Sequence, residues 1–248
     1  MSNITYNFTN QNFVVTGASS GMGKQVVVEL AEAGASVLAI ARGEDALRSL
    51  QKLYPEKIVI AAVDVCDSEK LKESINSFVK SKGKLDGVVH AAGISGLTPI
   101  KSYDEAEARK IVDISFWAGA KLVQICSKVK FSNSGASFVL FSSVRSQKTD
   151  KGLFAYAGAK SAMQIAVKTF AKELAKRKLR VNTISPGWVN TNMTDKLEET
   201  NNLDEINQNH ILGIGKPEDV SGVVLFMLSD RSTWMTGTDI VVDGGYLT

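Results

Sequence analysis

Cysteine is nearly absent: Cys66 and Cys126 are the only two in 248 residues, far apart and outside any CxxC. That excludes a disulfide framework and a dithiol redox motif, and suits a reducing compartment. Histidine is as scarce. A zinc site of imidazoles and thiolates would need nearly all of His90, His210 and the two cysteines, and their scatter argues against one, so no metal is expected. No apolar stretch approaches the roughly 18 residues needed to span a membrane, which excludes a membrane partner. The first residues, MSNITYNFTN, have neither the basic start nor the apolar run of a signal peptide, so the triplets Asn3-Ile4-Thr5 and Asn7-Phe8-Thr9 read as chance and a cytoplasmic location is expected. Charge of one sign is also missing. With 29 basic and 26 acidic residues the net charge is +3, too small to imply a nucleic-acid surface. The one basic-rich run, Lys172 to Arg180, reads as the wet face of a helix.

What is present is a large apolar fraction, 44% hydrophobic residues, in a regular rhythm. Short β-branched runs at Phe13–Thr16, Val37–Ala41, Ile58–Val63, Gly87–His90, Ser137–Phe141, Arg180–Ile184 and Asp239–Val242 read as strands buried on both faces. Helical spacing fills 22–33, 44–53, 68–81, 103–130, 153–177 and 217–229 between them. The last opens on Pro217-Glu218-Asp219, a proline followed by carboxylates suited to a helix N-terminus. Strict βα alternation predicts an α/β chain: a single-domain Rossmann fold with seven parallel strands and helices on both faces. No linker or repeat divides it. The cofactor half is expected over about 10–130 and the catalytic and substrate half over about 131–248. The long polar stretch 188–215 breaks the rhythm and is expected to be a functional lid.

The first strand runs into TGASSGMG, residues 16–23, and then a helix. Gly17 can take backbone angles closed to other residues, Gly21 admits a pyrophosphate close to the main chain, and Gly23 lets the helix pack on the strand. The helix N-terminus offers free N–H groups to a phosphate, so Gly17, Ser19, Ser20, Gly21 and Met22 are candidate cofactor contacts. The spacing is G-x-x-x-G-x-G rather than the usual dinucleotide fingerprint. At the end of the second strand an NAD site commonly carries a carboxylate; here Ala41 is followed by Arg42, whose guanidinium suits the 2′-phosphate of NADP.

Ser143 ends the fifth strand, Tyr156 follows thirteen residues later, and Lys160 lies one helical turn beyond Tyr156 on the same face. A phenol with a pKa of about 10 is a poor acid at neutral pH. A nearby ammonium and an oxidised nicotinamide favour its phenolate, and a serine hydroxyl can orient a substrate oxygen. The three fit hydride transfer between NADP(H) and a carbonyl or secondary alcohol, with Tyr156 handling the proton.

TGASSGMG, Asp64, the AAG of HAAG at 90–93, Ser143, YAGAK at 156–160 and SPGWVNT at 185–191 together resemble the classical short-chain dehydrogenases/reductases, over nearly the whole chain. The resemblance implies that Tyr156 is the general acid/base, Ser143 the substrate-orienting hydroxyl, and Lys160 the anchor of the nicotinamide ribose. It implies adenine contacts from Asp64 and the backbone of Val65, and packing of Ala92 and Gly93 on the adenosine ribose. Pro186, Gly187, Val189 and Thr191 would meet the carboxamide and pyrophosphate. Two positions depart from the family pattern. His90 and Ala91 stand where many members have asparagines, and His90 reads as a histidine packed at a strand end. Ser115 stands where many have an asparagine whose main chain holds a water of a proton relay to the lysine, a contact that a serine can keep.

The resemblance further implies a homodimer or homotetramer built on the helices of 103–130 and 153–177, with one of Phe116 and Trp117 in the core and the other at the interface. Likeness to 3-oxoacyl-carrier-protein reductases points to a 3-oxoacyl thioester or small ketone. An alternative is a sterol, sugar or other secondary-alcohol dehydrogenase, for which Phe154, Trp188, Met193 and Leu197 would line an apolar pocket. Arg145, just past the serine, is a candidate contact for an anionic substrate. A protein of another class, a non-catalytic NADPH-sensing binding protein, would keep the turn without the reaction.

Overall fold

Strand β1 (Asn12–Thr16) is buried along its whole length, and its side chains divide by period two. Phe13 and Val15 enter one apolar cluster and Val14 the other. A strand that feeds two cores must lie in the middle of a sheet covered on both sides. The computed structural model, which describes residues 4–191 and 209–248, shows that arrangement. Seven parallel strands run in the order β3-β2-β1-β4-β5-β6-β7. They are β1, β2 (Ser36–Ala41), β3 (Ile58–Ala62), β4 (Leu85–His90), β5 (Ser132–Phe141), β6 (Arg180–Pro186) and β7 (Asp239–Val242).

One face carries α1 (Gly21–Glu32), α2 (Glu44–Gln51) and the last helix, α7 (Pro217–Leu228), through Val26, Leu30, Leu47, Val224 and Leu228. The other carries α3 (Ser68–Lys82), α5 (Ala118–Cys126) and α6 (Phe154–Leu174), through Leu71, Phe78, Leu122, Met163 and Val167. Asp67 caps α3 by accepting from the Lys70 N–H at 3.1 Å. Asp104 caps α4 (Glu105–Val112) by accepting from the Ala106 N–H at 2.8 Å. Because the chain winds outward from β1 to β3 and then crosses to β4, a crevice opens at the carboxyl ends of β1 and β4, the place where open α/β sheets bind ligands. Among the described residues no helix is long and apolar enough to cross a membrane.

Three sequence expectations are corrected. The edge strands β3 and β7 are only partly buried, since each lacks a neighbour and full cover on its outer side. The helix expected over 103–130 is interrupted by a π-turn at Asp113–Trp117 between α4 and α5. Arg180 is not part of a wet face: it is buried, and its guanidinium donates to the carbonyls of Met227 at 2.9 Å and Ser229 at 3.0 Å. A cation there meets the negative end of α7.

Candidate active site

The glycine-rich turn is shaped by places where no side chain fits. Gly17 has φ +71°, and a Cβ on it would lie 2.6 Å from the backbone nitrogen of Ala92. A Cβ on Gly23 would lie 2.4 Å from the carbonyl oxygen of Gly17, so the first turn of α1 rests directly on the loop before it. At the start of that helix Ser20 makes no side-chain capping bond and the first turn holds no carboxylate. Its leading N–H groups are therefore open to an anion.

This turn forms one wall of a cavity of about 220 Å³ lined by Gly17, Ser19, Ser20, Gly21 and Met22. Arg42, Asp64, Val65, Ala92, Gly93 and Thr191 complete its lining. Arg42 is exposed and has no ion pair among the described residues. Asp64 Oδ1 accepts from the Cys66 N–H at 2.9 Å, which fixes the loop after β3. An uncapped helix start, a cradle that any Cβ would fill and an unpaired guanidinium at the far end fit an elongated, phosphate-bearing nucleotide.

A second cavity, of about 280 Å³, adjoins the first and shares Met22 and Thr191 with it. Ser143, Arg145, Tyr156, Pro186, Gly187, Trp188 and Val189 line it. Ser143 Oγ accepts from the Arg145 backbone N–H at 3.2 Å, and its hydroxyl lies beside the Tyr156 phenol. Burial raises the Tyr156 pKa above its usual value, with the neighbouring Ser143 hydroxyl and the Arg145 charge pulling the other way. Lys160 is buried beside it, with Nζ 5.6 Å from the centre of the Tyr156 ring and donating to the Phe141 carbonyl at 2.7 Å. Burial pushes the Lys160 ammonium down to about 8.

Behind the lysine sits the π-turn. A Cβ on Gly93 would lie 3.4 Å from Lys160 Nζ and 3.7 Å from Ser115 Oγ, so all three converge there. Ser115 is fully enclosed and its hydroxyl has no partner among the described residues. His90 Nε2 lies 3.1 Å from the Ile114 carbonyl and Nδ1 2.9 Å from Thr16 Oγ1. A carbonyl can only accept, so Nε2 carries the proton and Nδ1 accepts from the threonine. Burial, with the Lys160 charge second, holds the His90 pKa down to about 4, so the ring is neutral near pH 7.

A family model described as enoyl-(acyl carrier protein) reductase matches residues 17–247. The 3-oxoacyl-[acyl-carrier-protein] reductase FabG of Thermotoga maritima is 32% identical over 235 residues, covering 94% of this chain and 96% of that one. The chain is a short-chain dehydrogenase/reductase. Other relatives of this oxidoreductase family include a 3alpha-hydroxysteroid dehydrogenase of Mediterraneibacter gnavus, 31% identical over 240 residues, covering 95% of this chain and 96% of that one. A crystal structure of a short-chain dehydrogenase/reductase, glucose/ribitol dehydrogenase, from Brucella melitensis superposes with TM-score 0.93 at 25% identity, covering 98% of this chain and 99% of the other.

Within this short-chain dehydrogenase/reductase, some expected site residues lie elsewhere. Phe154 is 44% exposed and packs edge-on against Tyr103 at 5.1 Å; it lines neither cavity, because its place at the first turn of α6 points it outward. Met193, Leu197 and most of 188–215 lie outside the described residues. Ser115 and Lys160 sit behind the cavities rather than on their walls.

The sequence reading missed Asp150, His210 and Tyr246, all on the second cavity's wall. Arg145 Nη1 donates to Tyr246 Oη at 2.7 Å and pairs with Asp150, and the His210 ring stacks on Tyr246 at 4.8 Å. His210 Nε2 accepts from the Trp188 N–H at 3.0 Å. The only local sign was the Gly244-Gly245 pair before Tyr246, both at positive φ, which turns the chain end back toward the site.

Proposed function

We propose that the chain reduces a carbonyl to a secondary alcohol with NADPH, and runs the reverse as an NADP-dependent dehydrogenase, with Tyr156 as general acid/base. The observation that carries this reading is the meeting of Ser143, Tyr156 and Lys160 beside the junction of the two cavities. A nicotinamide cofactor, when bound, supplies or accepts the hydride. Ser19, Ser20, Gly21 and Met22 would hold its pyrophosphate and Asp64 and Val65 its adenine, while Lys160, enclosed behind the cavity wall, would leave the Phe141 carbonyl to reach its ribose. Arg42, unpaired and with no carboxylate before it, favours the 2′-phosphate of NADP over the bare ribose of NAD.

In the reduction, Ser143 takes the Arg145 N–H on its oxygen, which leaves its own proton to direct at the substrate oxygen. Tyr156 gives its proton to that oxygen, and the Lys160 ammonium favours the phenolate left behind. Burial keeps the phenol protonated before the step, which suits an acid. Names of the reductase relatives support a 3-oxoacyl thioester or small ketone as substrate. The hydroxysteroid dehydrogenase relative, with Leu97, Val144 and Trp188 on the cavity wall, supports a bulkier secondary alcohol as the second reading.

An exposed Trp117 on the α5 side and Ile165 on α6, each more than 60% accessible, support a homodimer or homotetramer through this face, in a cytoplasmic enzyme. Phe116 packs against the core, which supports placing it there and Trp117 at that face. The test is NADPH consumption on a panel of 3-oxoacyl thioesters, diketones and hydroxysteroids. Tyr156→Phe should lower turnover by about a thousandfold, roughly 4 kcal/mol, while NADPH still quenches or shifts the protein fluorescence. A variant that keeps parental turnover would refute the assignment. Arg42→Ala should remove most of the preference for NADPH over NADH.

A further inference from the structure

Arg145 uses only one corner of its guanidinium. Both of its side-chain polar contacts among the described residues are made by Nη1, to Tyr246 Oη and to Asp150. Nε and Nη2, which form the edge that grips a carboxylate with two parallel N–H bonds, have no partner among the described residues. Among the described residues the enclosed side-chain atoms without a partner are Ser115 Oγ and Trp188 Nε1, so the free edge of Arg145 is not sealed in protein. The side chain is 19% exposed, and the surface it reaches is the wall of the cavity that also holds Ser143 and Tyr156. Backbone bonding to Ser143 and the Tyr246 ring, 5.2 Å from the guanidinium carbon, hold it in place.

Charge around it is also biased. The segment 145–151 carries Arg145, Lys148 and Lys151 against the single carboxylate of Asp150. That carboxylate is 58% exposed, so its solvation cost of leaving is small.

We propose that the free edge of Arg145 binds a carboxylate of the substrate, which makes the substrate class a small oxo acid whose ketone meets Ser143 and Tyr156. The proposal rests on the reductase reading above. Hydride adds to the ketone carbon, the carbon–oxygen π bond opens, Tyr156 protonates the oxygen, and the nicotinamide is oxidised; the carboxylate is unchanged and serves only to hold and orient. A neutral ketone of the same shape would leave Nε and Nη2 without an acceptor, so the site discriminates against it.

The experiment offers pyruvate, acetoacetate and levulinate, each against its methyl ester, to the parent enzyme with NADPH. At least one acid should exceed its ester in kcat/KM by about tenfold or more, which corresponds to about 1.4 kcal/mol. Arg145→Met should bring that ratio near one. Asp150→Asn, which keeps the guanidinium and removes its competitor, should raise the ratio, and it answers the question if the arginine variant does not fold. Esters reduced as well as or better than every acid would overturn the oxo-acid proposal and leave the reductase reading standing. An equal change for acid and ester in both variants would also overturn it, because it would make Arg145 a latch between Tyr246 and Asp150 only. No consumption of NADPH or NADH on either set, or on the wider carbonyl panel, would bring down the reductase reading and this one together.

Discussion

The two cavities touch at Met22 and Thr191, yet they are built from different material. The proposed cofactor side rests on backbone brought so close at Gly17 and Gly23 that added Cβ atoms would fall 2.6 Å and 2.4 Å from main-chain atoms. The proposed substrate side is lined by residues of 143–156 and 186–191, with His210 and Tyr246, and includes the Arg145 side chain. A backbone surface reads a feature shared by many ligands, a phosphate, and tolerates almost no change at its glycines. A side-chain surface reads one ligand among many and can be rewritten one residue at a time.

The sharpest way to break that comparison is Gly17→Ala. The φ of +71° strains any L side chain, and the new methyl meets Ala92 nitrogen and the Ala91 carbonyl within 2.8 Å. Strain and overpacking together cost about 2 to 6 kcal/mol. NADPH affinity should fall by a hundredfold or more, or the protein should melt well below the parent. Gly43→Ala is the contrast: it lies just beyond Arg42 with no atom within 4 Å of its Cβ position, and it should change neither quantity appreciably. If both variants bind NADPH like the parent, the turn is not the cofactor cradle.

His90 gives the next effect, on stability and pH. Its folded pKa of about 4 lies below the usual 6.5, because burial and the Lys160 charge oppose a second cation there. As pH falls through 6.5 the unfolded chain takes the proton first, so stability present above that point is lost down to about pH 4. The loss is on the order of 3 kcal/mol. Urea midpoints measured from pH 7.5 to 4.5 should drop in the parent and drop less in His90→Gln. Parallel curves would show that the buried imidazole does not set this window.

How far the two sides could be seen in the sequence follows from the same contrast. The seven strands and the helices were legible because a parallel sheet covered on both faces forces apolar runs at regular intervals, as in Phe13–Thr16 and Ser137–Phe141. The glycine turn was legible because steric demand on a backbone leaves glycine as the only answer. Arg145 was visible as a loop cation beside Ser143, but its neighbours were not. Tyr246 lies 101 positions away, and only the return of the chain end over β6 and β7 brings them together. The π-turn was also hidden, since Ala108, Ile111, Leu122 and Ile125 keep helical spacing on both sides of it. Arg180 looked like a surface cation because nothing local marks the carbonyls at the end of α7 that it satisfies.

The smallest effect is expected at Ser115, where the backbone and side-chain modes meet. Its hydroxyl is enclosed and unpartnered, which costs stability without an evident return from the side chain itself. The π-turn is held instead through the main chain, by His90 on the Ile114 carbonyl, one residue before Ser115. If Ser115 serves the Lys160 side of the reaction through its backbone, its side chain is replaceable. Ser115→Asn should then leave kcat within about tenfold of the parent, roughly 1.4 kcal/mol, and Ser115→Ala, which removes the orphan hydroxyl, should melt no lower than the parent. The two variants separate the modes. A large loss of kcat in both, at unchanged melting temperature, would mean that the hydroxyl near Lys160 Nζ takes part in moving the proton, and that this corner of the site is written in side chains after all.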